Sequence, residues 1–113
     1  MNVVASDRVR SIRALNDVLR ATMTSGLVVT TSGVADMPAE QRVRLVQEVQ
    51  AFDNFSEDND PHGEHDFGSI KLDSETFFWK IDYYDNSLEI GSPDPADPNV
   101  TKRVLTIMKS DEY

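Results

Sequence analysis

Residues 67–84 read FGSIKLDSETFFWKIDYY, and this stretch decides the fold. Phe67 to Leu72 and Thr76 to Tyr84 are rich in aromatic and β-branched residues, and a short polar connection, Asp73-Ser74-Glu75, separates them. That pattern predicts a β-hairpin. Successive strand residues point to opposite faces, so Phe77, Trp79, Ile81 and Tyr83 share one face of the second strand. Thr76, Phe78, Lys80, Asp82 and Tyr84 share the other. One face is expected to pack on helices. If the second is exposed, it becomes a protein-binding patch rimmed by acid.

On the N-terminal side, Ser6 precedes Val9, Ile12, Leu15, Val18 and Leu19, the three-and-four spacing of an amphipathic helix over about 6–23 with Ser6 as its N-cap and Gly26 beyond its end. LVVTT at 27–31 reads as a short strand between Gly26 and Gly33. Pro38 then opens a second helix to about residue 52, with Val43, Val46, Val49 and Phe52 on its apolar face. On the C-terminal side, Asp85-Asn86-Ser87 is a turn and Leu88 to Ile90 a further strand. GSPDPADP at 91–98 is a connector. Val100, Val104, Leu105, Ile107 and Met108 suit a closing helix, although RVLTIM at 103–108 also suits a short buried strand. The expected fold is α+β over a single domain, 1–113: two N-terminal helices, an antiparallel sheet of three or four strands, and a short C-terminal helix.

Charge narrows the function classes. The 113 residues carry 11 Lys and Arg against 20 Asp and Glu, a formal net charge of -9. Residues 1–50 balance to +1 and residues 51–113 to -10. Such a field repels phosphate backbones and anionic membranes and attracts basic protein surfaces, so neither direct nucleic-acid binding nor membrane binding is expected. The absence of cysteine removes thiolate chemistry and Cys-ligated zinc. No apolar run approaches bilayer length and no charged-then-apolar leader opens the chain, so the expected compartment is cytoplasmic.

The sharpest polar feature is DNFSEDNDPHGEHD at 53–66, which holds six acidic residues with His62 and His65 and reads as a loop. Asp60, His62, Glu64, His65 and Asp66 could ligate a divalent ion. The specific patterns fail. Asp58 to Gly63 imitates the opening of an EF-hand loop, yet the twelfth position is Ser69 and Pro61 fits poorly. His62 and His65 lack zinc-protease spacing, and neither Lys80 nor Lys71 follows a Glu-x-Lys nuclease pattern. There is no phosphate-cradling glycine loop and no nucleophile elbow. The sequence therefore leans away from an enzyme and implies no cofactor. On a basic protein the aromatic strand could stack bases, but Asp73, Glu75, Asp82 and Asp85 beside it argue against that use.

Three stretches, FDNFSEDNDPHGEHDFG at 52–68, FWKIDYYD at 78–85 and GSPDPADPNVTKRVLTIM at 91–108, together resemble the Domain of Unknown Function 3768 family of small bacterial proteins. The resemblance implies an association with chromosomes, plasmids and other mobile elements, and no established activity. By analogy, small acidic proteins on mobile elements often antagonise host defence by presenting carboxylates where a nuclease complex expects phosphates. The resulting expectation is a non-enzymatic acidic inhibitor, of anti-CRISPR or antirestriction type, that meets the basic surface of a CRISPR or restriction complex. Its contact residues would be Glu57, Asp58, Asp60, Glu64 and Asp66, with Asp82 and Asp85 contributing. The alternative is a metal-dependent hydrolase or metal-binding domain built on the 57–66 loop.

Overall fold

A computed structural model describes residues 6–113. Helix α1, Asp7–Thr22, begins where the Ser6 hydroxyl accepts the Val9 N–H at 3.1 Å. It ends at Met23, which adopts the left-handed conformation and donates its N–H to Leu19 at 2.7 Å. Gly26 lies beyond this end, as expected; a Cβ there would stand 2.7 Å from the Arg103 carbonyl, so this glycine permits close chain approach. Strand β1, Leu27–Thr30, leads through the short helix α2, Ser32–Ala35, to helix α3, Ala39–Gln50. Strands β2, Phe67–Leu72, and β3, Glu75–Tyr84, form the expected hairpin. Its connection is two residues, Asp73 and Ser74, both at positive φ (51° and 67°), as a tight hairpin turn requires.

The C-terminal element is strand β4, Lys102–Lys109, not a helix. The reason is period and place. Arg103, Leu105 and Ile107 are buried on one face while Val104 and Thr106 sit on the other, and the strand occupies the slot between β1 and β3. Met108, on the face away from the helices, is buried as well, so the end of the strand reads as a nearly continuous apolar run, which periodicity alone does not separate from a buried helix. The sheet order is β1-β4-β3-β2. β1 runs parallel to β4, with Leu27 beside Val104 and Thr30 beside Ile107, so the sheet is mixed rather than antiparallel. Leu88 to Ile90 adds no strand. Asp85 holds this segment in a turn by accepting the Glu89 N–H at 3.0 Å, Leu88 takes a positive φ, and only Tyr84 and Gly91 form a bridge.

Helices α1 and α3 lie on one side of the sheet, over Phe77, Trp79, Ile81, Leu105 and Ile107. Leu19 of α1 and Leu45 and Val49 of α3 close this core. Apolar period overreads both helices: Val18 is 50% exposed and Val43 55%, while Asn16 and Arg20 of α1 are buried. Among the described residues the opposite side of the sheet carries no α-helix; there the C-terminal 3-10 turn, Ser110–Glu112, leads to Tyr113, which packs edge-on against Phe67 and Phe78. Sequence reading thus placed α+β and the hairpin correctly and missed α2, the parallel pair and the nature of β4.

Candidate interaction site

The acidic loop is held down by α1. Gly63 (φ 70°) and His65 (φ 56°) turn the chain twice, which brings its backbone onto the helix. Arg13 donates Nε–H to the Gly63 carbonyl at 2.6 Å, and Asn16 donates to the Glu64 carbonyl at 3.0 Å. Asp60, only 9% exposed, accepts the His65 N–H through both carboxylate oxygens at 3.2 and 3.3 Å. The His65 ring stacks on Phe55 with centroids 3.7 Å apart, and its Nδ1 lies 2.9 Å from Asp17. Asp17 also binds Arg20 at 3.0 Å, and the Arg20 guanidinium carbon lies 5.2 Å from the ring centroids of both Phe55 and Trp79.

Beneath the loop runs a second chain of bonds. Asn16 donates to the Tyr83 hydroxyl at 2.8 Å, Tyr83 donates to Glu64 Oε1 at 2.8 Å, and Arg103 donates to Asn16 Oδ1 at 2.8 Å. Arg103 also donates to the Pro95 carbonyl and lies over the Tyr83 ring. Burial pushes the Tyr83 phenol far up, so it stays protonated and donates, and burial lowers the Arg103 guanidinium from its ordinary value. Asp66 is raised, first by burial and then by the neighbouring Glu64 charge. These bonds satisfy polar groups that would otherwise be costly inside the protein.

The seven sequence-derived contact residues do not form one surface. Glu57 and Asp58 are exposed on the turn 57–59. Asp60 and Glu64 point into the anchor, and Asp66 is half-buried where the loop joins β2. Asp82 lies on the helix-free face of the sheet and pairs with Lys80 at 2.9 Å. Asp85 caps its own turn, accepting from Ser87 and Glu89 at 3.0 Å each; those bonds, led by Glu89, lower its pKa. For the metal alternative, His65 is engaged with Asp17 and Asp60 with the His65 backbone, and among the described residues no three His, Asp or Glu side chains gather as an ion cage. Sequence reasoning puts the arginines of α1, Arg13 and Arg20 among them, on its polar side and able to pair with the acidic half, but it missed the anchoring roles of Arg13, Asn16, Asp17 and Arg20. Their signal was present as four polar residues at one-face spacing, inside a helix otherwise read by its apolar residues. Arg103, in an apolar strand, had no such signal.

The profile of a family described as a protein of unknown function (DUF3768) matches residues 30–112. The chain belongs to the DUF3768 family. No curated protein and no solved structure matches it. The DUF3768 match takes in the acidic loop, the hairpin and β4, and it begins after α1, so the helical half of the loop's anchor lies outside it. No helix of the described residues is long and apolar enough to cross a membrane.

Proposed function

We propose that this DUF3768 protein is a non-enzymatic interaction protein that docks on the basic surface of a nucleic-acid-binding complex, of CRISPR or restriction type, and inhibits it. The observation that carries the reading is the anchoring of the acidic loop. Bonds from Arg13, Asn16 and Asp17 hold its C-terminal half on α1, and this leaves Glu57, Asp58 and the nearby Asp53 exposed on ordered backbone. Carboxylates fixed in this way lose little conformational freedom on meeting lysines and arginines, whereas a free loop would have to be ordered first. Asp60 and Glu64, in this reading, hold the loop and do not touch the partner.

The test is Asp53→Lys/Glu57→Lys/Asp58→Lys, assayed for inhibition of, and binding to, purified CRISPR effector and restriction complexes at graded salt. The expected result is a loss of at least about tenfold in affinity, with the parent's binding weakening as salt rises. A triple variant that inhibits as well as the parent at moderate salt sinks the proposal.

A further inference from the structure

The two edges of the sheet differ. β2, at one, carries an exposed lysine, Lys71, whereas β1, at the other, is Leu-Val-Val-Thr, with no charge or proline to discourage further pairing. Thr31 donates its N–H to the Ile107 carbonyl at 3.1 Å, and Thr30 stands beside Ile107 in the parallel ladder. Backbone groups alternate along a strand, so Leu27 and Val29 bond towards β4, and the N–H and C=O of Val28 and Thr30 point outwards. Among the described residues no backbone group bonds to these four. The side chains at this edge are apolar. Leu27 (45% exposed) and Val29 (44%) stand on the face away from the helices, beside Val104 and Thr106. On the helix side a groove of about 470 Å³ is lined by Thr30, Val34, Ala39, Val43 and Val46, with Arg42, Gln47 and Gln50 completing it.

We propose that β1 is the seam of a twofold pair, in which a second copy of this chain adds its own β1 antiparallel and continues the sheet from four strands to eight. The register is self-complementary. With the twofold axis at Val29, Val28 of each copy lies opposite Thr30 of the other, and such a pair exchanges both of its hydrogen bonds. All four outward groups of each strand are then satisfied. On one face Val29 meets its own equivalent and Leu27 meets Thr31; on the helix side Val28 arrives beside Thr30 at the mouth of the groove. Charge selects this edge for a like partner. β1, α2 and α3 belong to residues 1–50, which balance to +1, and the excess of acid lies in residues 51–113, which build the hairpin at the far edge. Arg42 is the single charged residue lining the groove. Two copies therefore meet here without acid facing acid. A four-residue ladder buries less than the roughly 1,200 Å² of a tight complex, so the pair is expected to form at about tens to hundreds of micromolar.

The inference goes beyond the proposed docking role and is tested without any partner complex. Sedimentation equilibrium of the full chain, from about 5 µM to 1 mM, should show the mass rising from one copy to two. The net charge of -9 on each copy opposes association, so the pair should tighten as salt is added, opposite in sign to docking on a basic surface. Val29→Lys places two lysines together on the axis and should weaken pairing by at least about tenfold. Val29 is exposed, so the variant's melting temperature at low concentration should match the parent's. Val29→Thr, which keeps the branched shape, should weaken pairing less. Hydrogen exchange reads the seam directly in the parent: the amides of Val28 and Thr30 should slow on concentration, and that of Val29, already bonded to β4, should change less. A chain that stays monomeric at 1 mM leaves the edge to an extended segment of another protein and overturns the proposal. Pairing that weakens with salt, that survives Val29→Lys, or that leaves Val28 and Thr30 unprotected overturns it as well.

Discussion

At Gly68 one added methyl group would overlap the Trp79 indole nitrogen and stand 2.8 Å from Phe52 Cζ, at the point where β2 crosses the densest part of the core. Neither ring can move, since Trp79 is fully buried and packs edge-on against Phe52. Gly68→Ala is therefore expected to cost about 1–3 kcal/mol by overpacking, seen as a lower denaturant midpoint with unchanged m-value. Asp66 should behave in the opposite sense. Burial and Glu64 raise its pKa above the ordinary 3.8, so its charge is tolerated less well in the folded chain than in the unfolded one. The destabilisation is present above the folded pKa and is relieved as pH falls through it towards 3.8. Asp66→Asn is expected to raise the melting temperature at pH 7, with the gain shrinking through that window; a variant less stable than the parent at pH 7 contradicts the assignment. At this scale the site was half legible. The acid-rich composition of 53–66 was plain in the sequence, but which carboxylates face inward depends on Arg13, Asn16 and Arg103, 48 to 87 residues from partners they meet only by folding.

Between elements, the hairpin and β4 show why one part of the fold could be read and another could not. β2 and β3 are neighbours in sequence, alternate in polarity and are joined by a turn, so their pairing is written locally. β4 pairs on one side with β3 across the 17-residue connection 85–101, and on the other with β1, which lies more than 70 residues earlier. Nothing in RVLTIM itself specifies two neighbours, and burial of Leu105 and Ile107 on one face and Met108 on the other gives it an apolar run that a helix would share. The hairpin's own turn is not optimal. Ser74 takes φ 67°, a conformation that suits glycine, and its side chain makes no hydrogen bond among the described residues, whereas Asp73 in the same turn contacts Arg44. Ser74→Gly should stabilise the protein by roughly 0.5 kcal/mol, the relief of left-handed strain less the entropy glycine adds to the unfolded chain. Chemical denaturation resolves a shift of that size in the midpoint, and a decrease would show that the turn differs from the tight type inferred from its dihedrals.

For the molecule as a whole, the near-neutral and acidic halves of the chain do interleave. Arg8 reaches Asp94 at 3.5 Å, Arg44 contacts Asp73, and Arg13 binds the acidic loop's backbone. These contacts sit on half-exposed side chains, and exposed pairs are worth about 0–1 kcal/mol each. Against them stands the self-repulsion of a net charge of -9 within a radius of gyration of 14.4 Å. Salt screens both, but the balance differs with distance: pairs in contact are screened weakly, and repulsion between carboxylates beyond a Debye length is removed almost entirely. Raising NaCl from 20 mM to 0.5 M should therefore raise the melting temperature, by about 4 °C if the net gain approaches 1 kcal/mol. Glu57→Gln/Asp58→Asn, which removes two exposed charges, should start from a higher melting temperature at low salt and gain less from added salt. A melting temperature that falls with salt would mean that the ion pairs across the halves outweigh the repulsion. The acidic surface would then be a stabilising network rather than a cost carried for docking on a basic partner.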